Sequence, residues 1–306
     1  MSTAPSLRRL AGGYGLLEAA RWYPDTGLVF SDMTQGGVLR LDPSAMPAAG
    51  PAEPEVLIPH RKGIGGLVRH ADGGFVLAGR NIAHKRPAGP DAPTTVLLET
   101  AGDEQFFNDL TADGQGRLYV GSVGRDPAPG SGAARPDGRL YRLDLDGTVA
   151  VLADDVLVSN GLGTDPAGGY LYHVDSSRRL VWRFPLDRDR RAAGRPGAGR
   201  ELFVDTSEYA GVPDGLTVAA DGSVWVALAG GSVVVAWDAK GARVTEVPVP
   251  QRLVTSVTFG GTDLRTLVIL TGHNHDHPDP AGGCLYSMPA PVAGLPAPDA
   301  RTPLLP

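Results

Sequence analysis

A turn followed by a short alternating strand recurs six times along the chain, and no other feature constrains the fold as strongly. Four short antiparallel strands repeated every 43 to 53 residues or so are typical of β-propeller blades. The sequence therefore predicts an all-β, six-bladed β-propeller with four antiparallel strands per blade, in one domain over 1–306. The copies are YPDTGLVFSD (23–32), HADGGFVLAG (70–79), ADGQGRLYVG (112–121), DPAGGYLYHVD (165–175), AADGSVWVAL (219–228) and GTDLRTLVIL (261–270).

The composition agrees with many short strands. The 42 glycines and 27 prolines do not fall in repetitive tracts, so they indicate turns. A β-sandwich, or a pair of them, is the alternative, but a sandwich does not require a regular repeat of this length. Residues 1–10 and the proline-rich tail 289–306 both remain candidates for the last strand of the sixth blade.

Charge and cysteine content exclude several classes of protein. A net charge of -6 provides no basic surface for nucleic acid. The single cysteine, Cys284, allows no intrachain disulfide and favours a reducing compartment. No run of apolar residues is long enough for a signal peptide or a membrane span. We expect a cytoplasmic protein with no membrane partner; the oligomeric state is left open.

The same register marks polar residues in several blades. Ten residues before the first strand position lie Glu18, Asn108 and Asp214 in the first, third and fifth copies, and a turn one residue longer makes Asn160 the equivalent in the fourth. The second and sixth copies have Gly65 and Val257 there. The innermost strands of a propeller begin at one end of its central channel. We therefore expect these four side chains to converge.

Two carboxylates and two amides form a set of oxygen donors that suits a hard divalent cation. Calcium, magnesium or manganese accept such ligands, and zinc tolerates them. Each residue also has a structural explanation: Asp and Asn before Gly are common turn residues, and Glu18 can point outward. Four coincidences in one register favour the site.

The chain resembles the senescence marker protein, gluconolactonase and luciferin-regenerating enzyme family of six-bladed propellers. The resemblance runs from about Leu16 to Met288. It rests on the stretches LLEAARWYPDTGLVFSDMTQGGVLRLD, FNDLTADGQGRLYVGSV, SNGLGTDPAGGYLYHVDS and GVPDGLTVAADGSVWVAL, the last followed by TSVTFGG.

The resemblance implies one divalent cation (Ca, Zn, Mn or Mg) held by Glu18, Asn160 and Asp214. It also implies that Asn108 contacts the substrate and that Asp214 is the general base of lactone hydrolysis. A cation polarises the lactone carbonyl, and a carboxylate beside the attacking water takes its proton.

One position departs from the family pattern. Similar sugar lactonases tend to carry an arginine two residues before the asparagine that matches Asn108, and here Phe106 occupies that place. An aromatic ring replaces five N–H donors, so we expect a less polar lactone or ester as substrate. Phe106 as a core residue is the alternative.

Three long loops are expected to shape or cover the site: 80–93, 122–138 with Arg125 and Arg135, and 272–283 with His273, His275 and His277. The histidine loop is predicted to be a solvated rim, with substrate contact or a second metal site as alternatives. Two rival functions also stay open, organophosphate (phosphotriester) hydrolysis and a non-hydrolytic biosynthetic role resembling strictosidine synthase.

Overall fold

A computed structural model describes residues 7–45, 53–89, 92–102, 104–124, 137–186, 197 and 199–304. Over these residues the chain forms strands β1 to β24 and one short 3-10 helix, Pro43–Ala45. The chain divides into two compact units. Unit 1 comprises residues 1–62 and 209–297, and unit 2 comprises residues 63–208 and 298–306.

Unit 1 contains one four-stranded and one eight-stranded antiparallel sheet. The eight-stranded sheet consists of two sets of four strands, joined where Ala229 pairs with Leu253. The four-stranded sheet is formed by β2 (Leu17–Tyr23), β3 (Gly27–Asp32), β4 (Gly37–Leu41) and β5 (Glu55–Pro59). The two sets are β18 (Val212–Val218), β19 (Val224–Ala229), β20 (Val233–Trp237) and β21 (Arg243–Pro248), and then β22 (Leu253–Gly260), β23 (Thr266–Gly272), β24 (Gly283–Pro289) and β1 (Arg8–Tyr14).

Unit 2 contains three four-stranded antiparallel sheets, each formed by strands consecutive in sequence. The first contains β6 (Leu67–Arg69), β7 (Phe75–Leu77), β8 (Asn81–Lys85) and β9 (Thr94–Glu99). The second contains β10 (Phe106–Ala112), β11 (Leu118–Val123), β12 (Gly138–Leu143) and β13 (Val149–Val156). The third contains β14 (Ser159–Thr164), β15 (Tyr170–Asp175), β16 (Leu180–Pro185) and β17 (Glu201–Asp205).

The N-terminal segment supplies the strand that the sequence left undecided. β1 pairs antiparallel with β24, from Arg8 opposite Ser287 to Tyr14 opposite Gly283. Gly294 of the proline-rich tail instead makes an isolated bridge with Ala219.

All six repeated turn-strand segments form strands, and their burial explains why the repeat is so visible. β3 and β11 are buried at every position, whereas the outer strand β9 alternates between exposed and partly buried residues. A strand covered on both faces reads as a continuous apolar run. The repeat therefore marks the second strand of each set of four.

One predicted loop is wrong in part. Residues 80–93 were expected to form a long loop, but Asn81–Lys85 is strand β8, which pairs with β7 and β9. Thr94–Glu99 is consequently the fourth strand of its sheet. Asn81–Lys85 carries one β-branched residue, Ile82, so its tertiary pairing overrides a weak strand propensity. Residues 90 and 91, and 125–136 with Arg125 and Arg135, lie outside the described residues.

Each unit has its own apolar core between sheets. In unit 1 one cluster centres on Trp225, Phe259 and Ile269, and another on Trp22 and Phe30. In unit 2 the clusters centre on Phe107 and Tyr141 and on Tyr119 and Phe184. Cys284 is buried within the first cluster of unit 1. No helix in the described part of the chain is long and apolar enough to cross a bilayer.

Candidate active site

The residues predicted from the shared register lie at β-bulges, each in the first strand of a set of four. In unit 1 the ladder register shifts just after Glu18 and around Asp214. In unit 2 it shifts around Asn108 and Asn160. A bulge interrupts pairing and re-aims side chains, and bulges are frequent beside active sites. The sequence register thus corresponds to a repeated feature of the backbone.

In unit 1, β2 carries Glu18 along one side of β22. The Ala20 amide donates a hydrogen bond to Ser256 Oγ at 3.2 Å. The Thr255 hydroxyl donates to the carbonyl oxygen of Leu17. These contacts precede and follow Glu18 in the chain, so they fix the part of β2 from which its side chain projects.

On the other side of β22, Asp214 is positioned by the close approach of β18. A Cβ on Gly215 would lie 2.7 Å from the Thr255 carbonyl oxygen and 2.9 Å from Ser256 Cα. Real Cβ atoms do not approach backbone so closely, so only glycine allows this packing. The two predicted carboxylates of unit 1 therefore lie on the two strands that flank β22.

Both carboxylates are removed from solvent. Glu18 is 8% exposed and Asp214 is 7% exposed. Burying carboxylates costs free energy unless hydrogen bonds or cations compensate. Ala19, which follows Glu18, has a φ of 60°, a left-handed conformation that is unusual for a residue with a side chain. Such conformations persist where the surrounding structure requires them, often at functional sites.

In unit 2 the two predicted asparagines contact each other directly. Asn108 Nδ2 donates to Asn160 Oδ1 at 2.9 Å and to the Ser159 carbonyl oxygen at 2.9 Å. Asn160 Nδ2 in turn donates to Ser176 Oγ at 3.1 Å. The predicted convergence of Asn108 and Asn160 is thus seen in the structure. The sequence did not single out Ser176, although it ends the stretch YLYHVDS.

Gly65, which precedes β6 and lies ten residues before Phe75 of the second copy, packs against Asn108 of β10. A Cβ on Gly65 would lie 2.5 Å from both the carbonyl oxygen and Oδ1 of Asn108. The absence of a side chain at residue 65 therefore leaves room for the Asn108 side chain.

Phe106 and Phe107 have different surroundings. Phe107 is fully buried, and its ring centroid lies 5.9 Å from that of Tyr141. Phe106, the first residue of β10, pairs with Val123 and is partly exposed. Phe106 is therefore not a fully buried core residue, and its contact with substrate stays a prediction.

A buried carboxylate that the sequence did not indicate anchors the start of β10. Glu104 Oε1 accepts hydrogen bonds from Ser122 Oγ at 2.7 Å and from the Tyr141 hydroxyl at 2.8 Å, while Oε2 accepts the Ala101 amide at 2.7 Å. Arg139 lies 3.4 Å from Oε1. Burial raises the pKa of Tyr141 to about 12; the hydrogen bond with Arg139 opposes this rise, and the hydrogen bond and charge of Glu104 add to it. The partners are 3 to 37 residues away, so no local motif reveals the network.

The histidine loop between β23 and β24 is a turn at the surface of unit 1. His275 is fully exposed, and the amide of His277 donates to Asn274 Oδ1 at 2.8 Å. Over the described residues, no group of three or more His, Cys, Asp or Glu side chains is arranged to hold a metal ion. The histidine loop therefore gains no support as a second metal site.

The predicted cation site needs an amide as well as two carboxylates. Glu18 and Asp214 belong to unit 1 and Asn160 to unit 2, so a common site for all three stays a prediction. The donor chemistry fits a hard divalent cation, since oxygen ligands dominate such sites. Two buried carboxylates also provide the negative charge that a cation would balance.

Comparisons with known proteins connect this arrangement to a family. The family described as "SMP-30/Gluconolactonase/LRE-like region" matches residues 16–273. Pentonolactonase XacC of Haloferax volcanii is 32% identical over 297 residues, which cover 91% of this chain and 92% of that protein.

Two solved structures are similar in fold. A luciferin-regenerating enzyme covers 97% of this chain and 100% of its own, with a TM-score of 0.82 and 22% identity. Regucalcin of Agrobacterium tumefaciens strain C58, described as a calcium-binding protein, covers 95% of this chain and 98% of its own, with a TM-score of 0.76 and 22% identity. The predicted propeller fold is confirmed, while the number of blades and the single domain stay predictions.

Proposed function

Because the chain belongs to the SMP-30/gluconolactonase/LRE-like family, we propose that it is a hydrolase that opens a lactone or related ester. The observation that carries the proposal is the pair of buried carboxylates, Glu18 and Asp214, at equivalent bulges on the strands flanking β22. A relative that matches nine tenths of the chain is named a pentonolactonase, which supports the same reaction class.

The proposal includes one divalent cation, calcium, magnesium, manganese or zinc. Glu18 and Asp214 would hold it with Asn160 as a third ligand. The donor set of carboxylate and amide oxygens supports this choice. The calcium-binding description of the similar regucalcin structure supports a divalent metal in the family.

The residues of the site have separate roles in the proposed reaction. A bound cation supplies Lewis-acid polarisation of the lactone carbonyl. In this proposal the buried carboxylate of Asp214 accepts the proton of the attacking water. Glu18 contributes charge and a second carboxylate oxygen. Asn108 presents Oδ1 to the substrate, because its Nδ2 already donates to Ser159 O and Asn160 Oδ1.

The preferred substrate in this proposal is less polar than a sugar lactone. By the family resemblance, sugar lactonases tend to carry an arginine at the position of Phe106, which is partly exposed at the start of β10. An aromatic ring offers apolar contact in place of five N–H donors. The proposed class is therefore alkyl or aryl lactones and esters, with small molecules as the partners.

A panel of lactones, carboxylic esters and phosphotriesters tests the function. Chelator-treated protein is assayed with each of the four cations, alongside Asp214→Asn, Glu18→Gln and the control Asp221→Asn, whose carboxylate lies exposed in a turn. Cation-restored lactone hydrolysis that both site variants lose and the control keeps is the expected result. Turnover of phosphotriesters alone, or full activity after chelation, contradicts the proposal.

A further inference from the structure

From the contacts of Asn160 we infer that Ser176 is a positioning residue that anchors the nitrogen end of this amide, so that the oxygen, whose direction Asn108 sets, stays available to the cation. The inference rests on the proposed function, because it takes Asn160 as a ligand. Only the oxygen of an asparagine amide binds a cation, whereas the nitrogen end carries two donors. Rotation of the amide by half a turn would replace a ligand with a repelling group.

The orientation begins with a group that cannot reverse its role. The carbonyl oxygen of Ser159 accepts a hydrogen bond and never donates one. It accepts Asn108 Nδ2 at 2.9 Å, which directs the donor end of Asn108 toward β14. The same Nδ2 donates to Asn160 Oδ1 at 2.9 Å. A rotated Asn160 would place its own donors against those of Asn108.

Ser176 completes the chain at the other end of the amide. Its Oγ accepts Asn160 Nδ2 at 3.1 Å. The Ser176 amide donates to the Val158 carbonyl oxygen at 2.9 Å, and its carbonyl oxygen accepts the Arg179 amide at 3.0 Å. Ser176 is 5% exposed, so water replaces its hydroxyl poorly.

The hydrogen bond from Asn108 uses one lone pair of the Asn160 amide oxygen. An amide oxygen has two acceptor positions, and Asn108 occupies one of those on Asn160. The second position is left for a cation. Fixing both ends of the amide lowers the entropy lost when the ligand binds, which is the usual effect of groups that orient metal ligands.

Cation titration of the intact, chelator-treated protein tests this role without relying on turnover. Affinity for Ca²⁺ and Mn²⁺ is measured by calorimetry for the parent, Ser176→Ala, Ser176→Thr and Asn160→Ala proteins. We expect Ser176→Ala to weaken binding about tenfold, whereas Ser176→Thr, which retains a hydroxyl, keeps the parent affinity within about twofold.

Ser223→Ala is the matched control. Ser223 is also buried, and its Oγ accepts the indole N–H of Trp225 at 3.0 Å in unit 1. The control should lower the thermal midpoint of the cation-free protein while leaving cation affinity unchanged. This separates loss of a buried hydrogen bond from loss of ligand orientation.

The outcomes distinguish the inference from the function on which it rests. If Asn160→Ala loses affinity while Ser176→Ala keeps it, Ser176 has no positioning role and the proposed function stands. Equal losses in Ser176→Thr and Ser176→Ala also contradict the inference, because the hydroxyl would then be irrelevant. If the parent protein binds neither cation at a single site, the proposed cation is wrong and the inference falls with it.

Discussion

The two units carry the same bulge in equivalent strands but place different chemistry there. Unit 1 buries two carboxylates, Glu18 and Asp214, on the strands beside β22. Unit 2 holds two amides, Asn108 and Asn160, in direct hydrogen-bond contact. The same backbone feature can therefore present either a charged carboxylate or an oriented neutral amide. In the proposed function, unit 1 supplies the charge for a cation and unit 2 supplies orientation.

The largest expected effect comes from removing charge in unit 1. Asp214→Asn should lower kcat/KM by about 10³-fold, because a ligand and a proton acceptor are lost together. Asn160→Ala in unit 2 should cost less, about 10- to 100-fold in cation affinity. Steady-state kinetics and calorimetry measure the two. Both quantities are measured for both variants. A larger loss of kcat/KM in Asn160→Ala than in Asp214→Asn would reverse the assignment of roles.

The next prediction concerns a loss of folding stability at acid pH that arises from a histidine in unit 2. His173 is buried in unit 2, where Ser159 Oγ lies 2.8 Å from its Nε2. Burial lowers the pKa of His173 from 6.5 to about 4, despite the opposing charges of Asp175 and Asp155, while Arg200 and Arg178 act in the same direction as burial.

The sign follows from proton uptake. Above pH 6.5 the imidazole is neutral in both folded and unfolded chains, so it makes no difference. Between pH 6.5 and about 4 the unfolded chain binds a proton that folded His173 refuses. The free energy of unfolding therefore falls as the pH falls, by ~3 kcal/mol at most, at about 1.4 kcal/mol per pH unit. Urea unfolding of the parent and His173→Gln at pH 7 and pH 4.5 measures it; an unchanged pH dependence in the variant contradicts the assignment.

Close packing should respond to added methyl groups in both units. A Cβ on Gly121 in unit 2 would lie 1.6 Å from Ser159 Oγ, whereas a Cβ on Gly215 in unit 1 would meet β22 backbone at 2.7 Å. Gly121→Ala and Gly215→Ala should each lower the free energy of unfolding by about 1–3 kcal/mol. Gly222→Ala is not a suitable control because its φ is 85°. Gly114→Ala is, since no atom lies within 4 Å of its Cβ position. Chemical denaturation measures all three, and equal stability of Gly121→Ala and Gly114→Ala would contradict the packing.

The smallest expected effect concerns substrate choice. Phe106→Arg should shift the ratio of kcat/KM for polyhydroxylated over alkyl lactones about tenfold toward the former, since a guanidinium adds donors for hydroxyls. Gln105→Arg adds the same charge one residue earlier, where the strand alternation directs it elsewhere. An equal shift in both variants would mean that charge alone, and not the position of Phe106, sets the preference.

Sequence reasoning reached the repeat and the register because both are periodic. The turn-strand copies mark strands buried on both faces, and counting back from them leads to the bulges at Glu18, Asn108, Asn160 and Asp214. Strand β8 was missed, since Asn81–Lys85 has little β propensity and is held by its neighbours.

The contacts that support the candidate site could not be predicted from the sequence, for a different reason. Glu104 binds Tyr141 across 37 residues, and Ser176 meets Asn160 across 16. Such pairs depend on the tertiary path of the chain. No sequence pattern around a glutamate or a serine indicates which distant residue it contacts. The sequence therefore predicted the candidate ligands, whereas the groups that orient them are apparent only in the structure.

The most direct test of the central claim is anomalous diffraction from crystals soaked in Mn²⁺. We predict one strong peak within about 2.6 Å of carboxylate oxygens of both Glu18 and Asp214 and of Asn160 Oδ1. A peak elsewhere, or none at these residues when the soaked protein is active, would contradict the account.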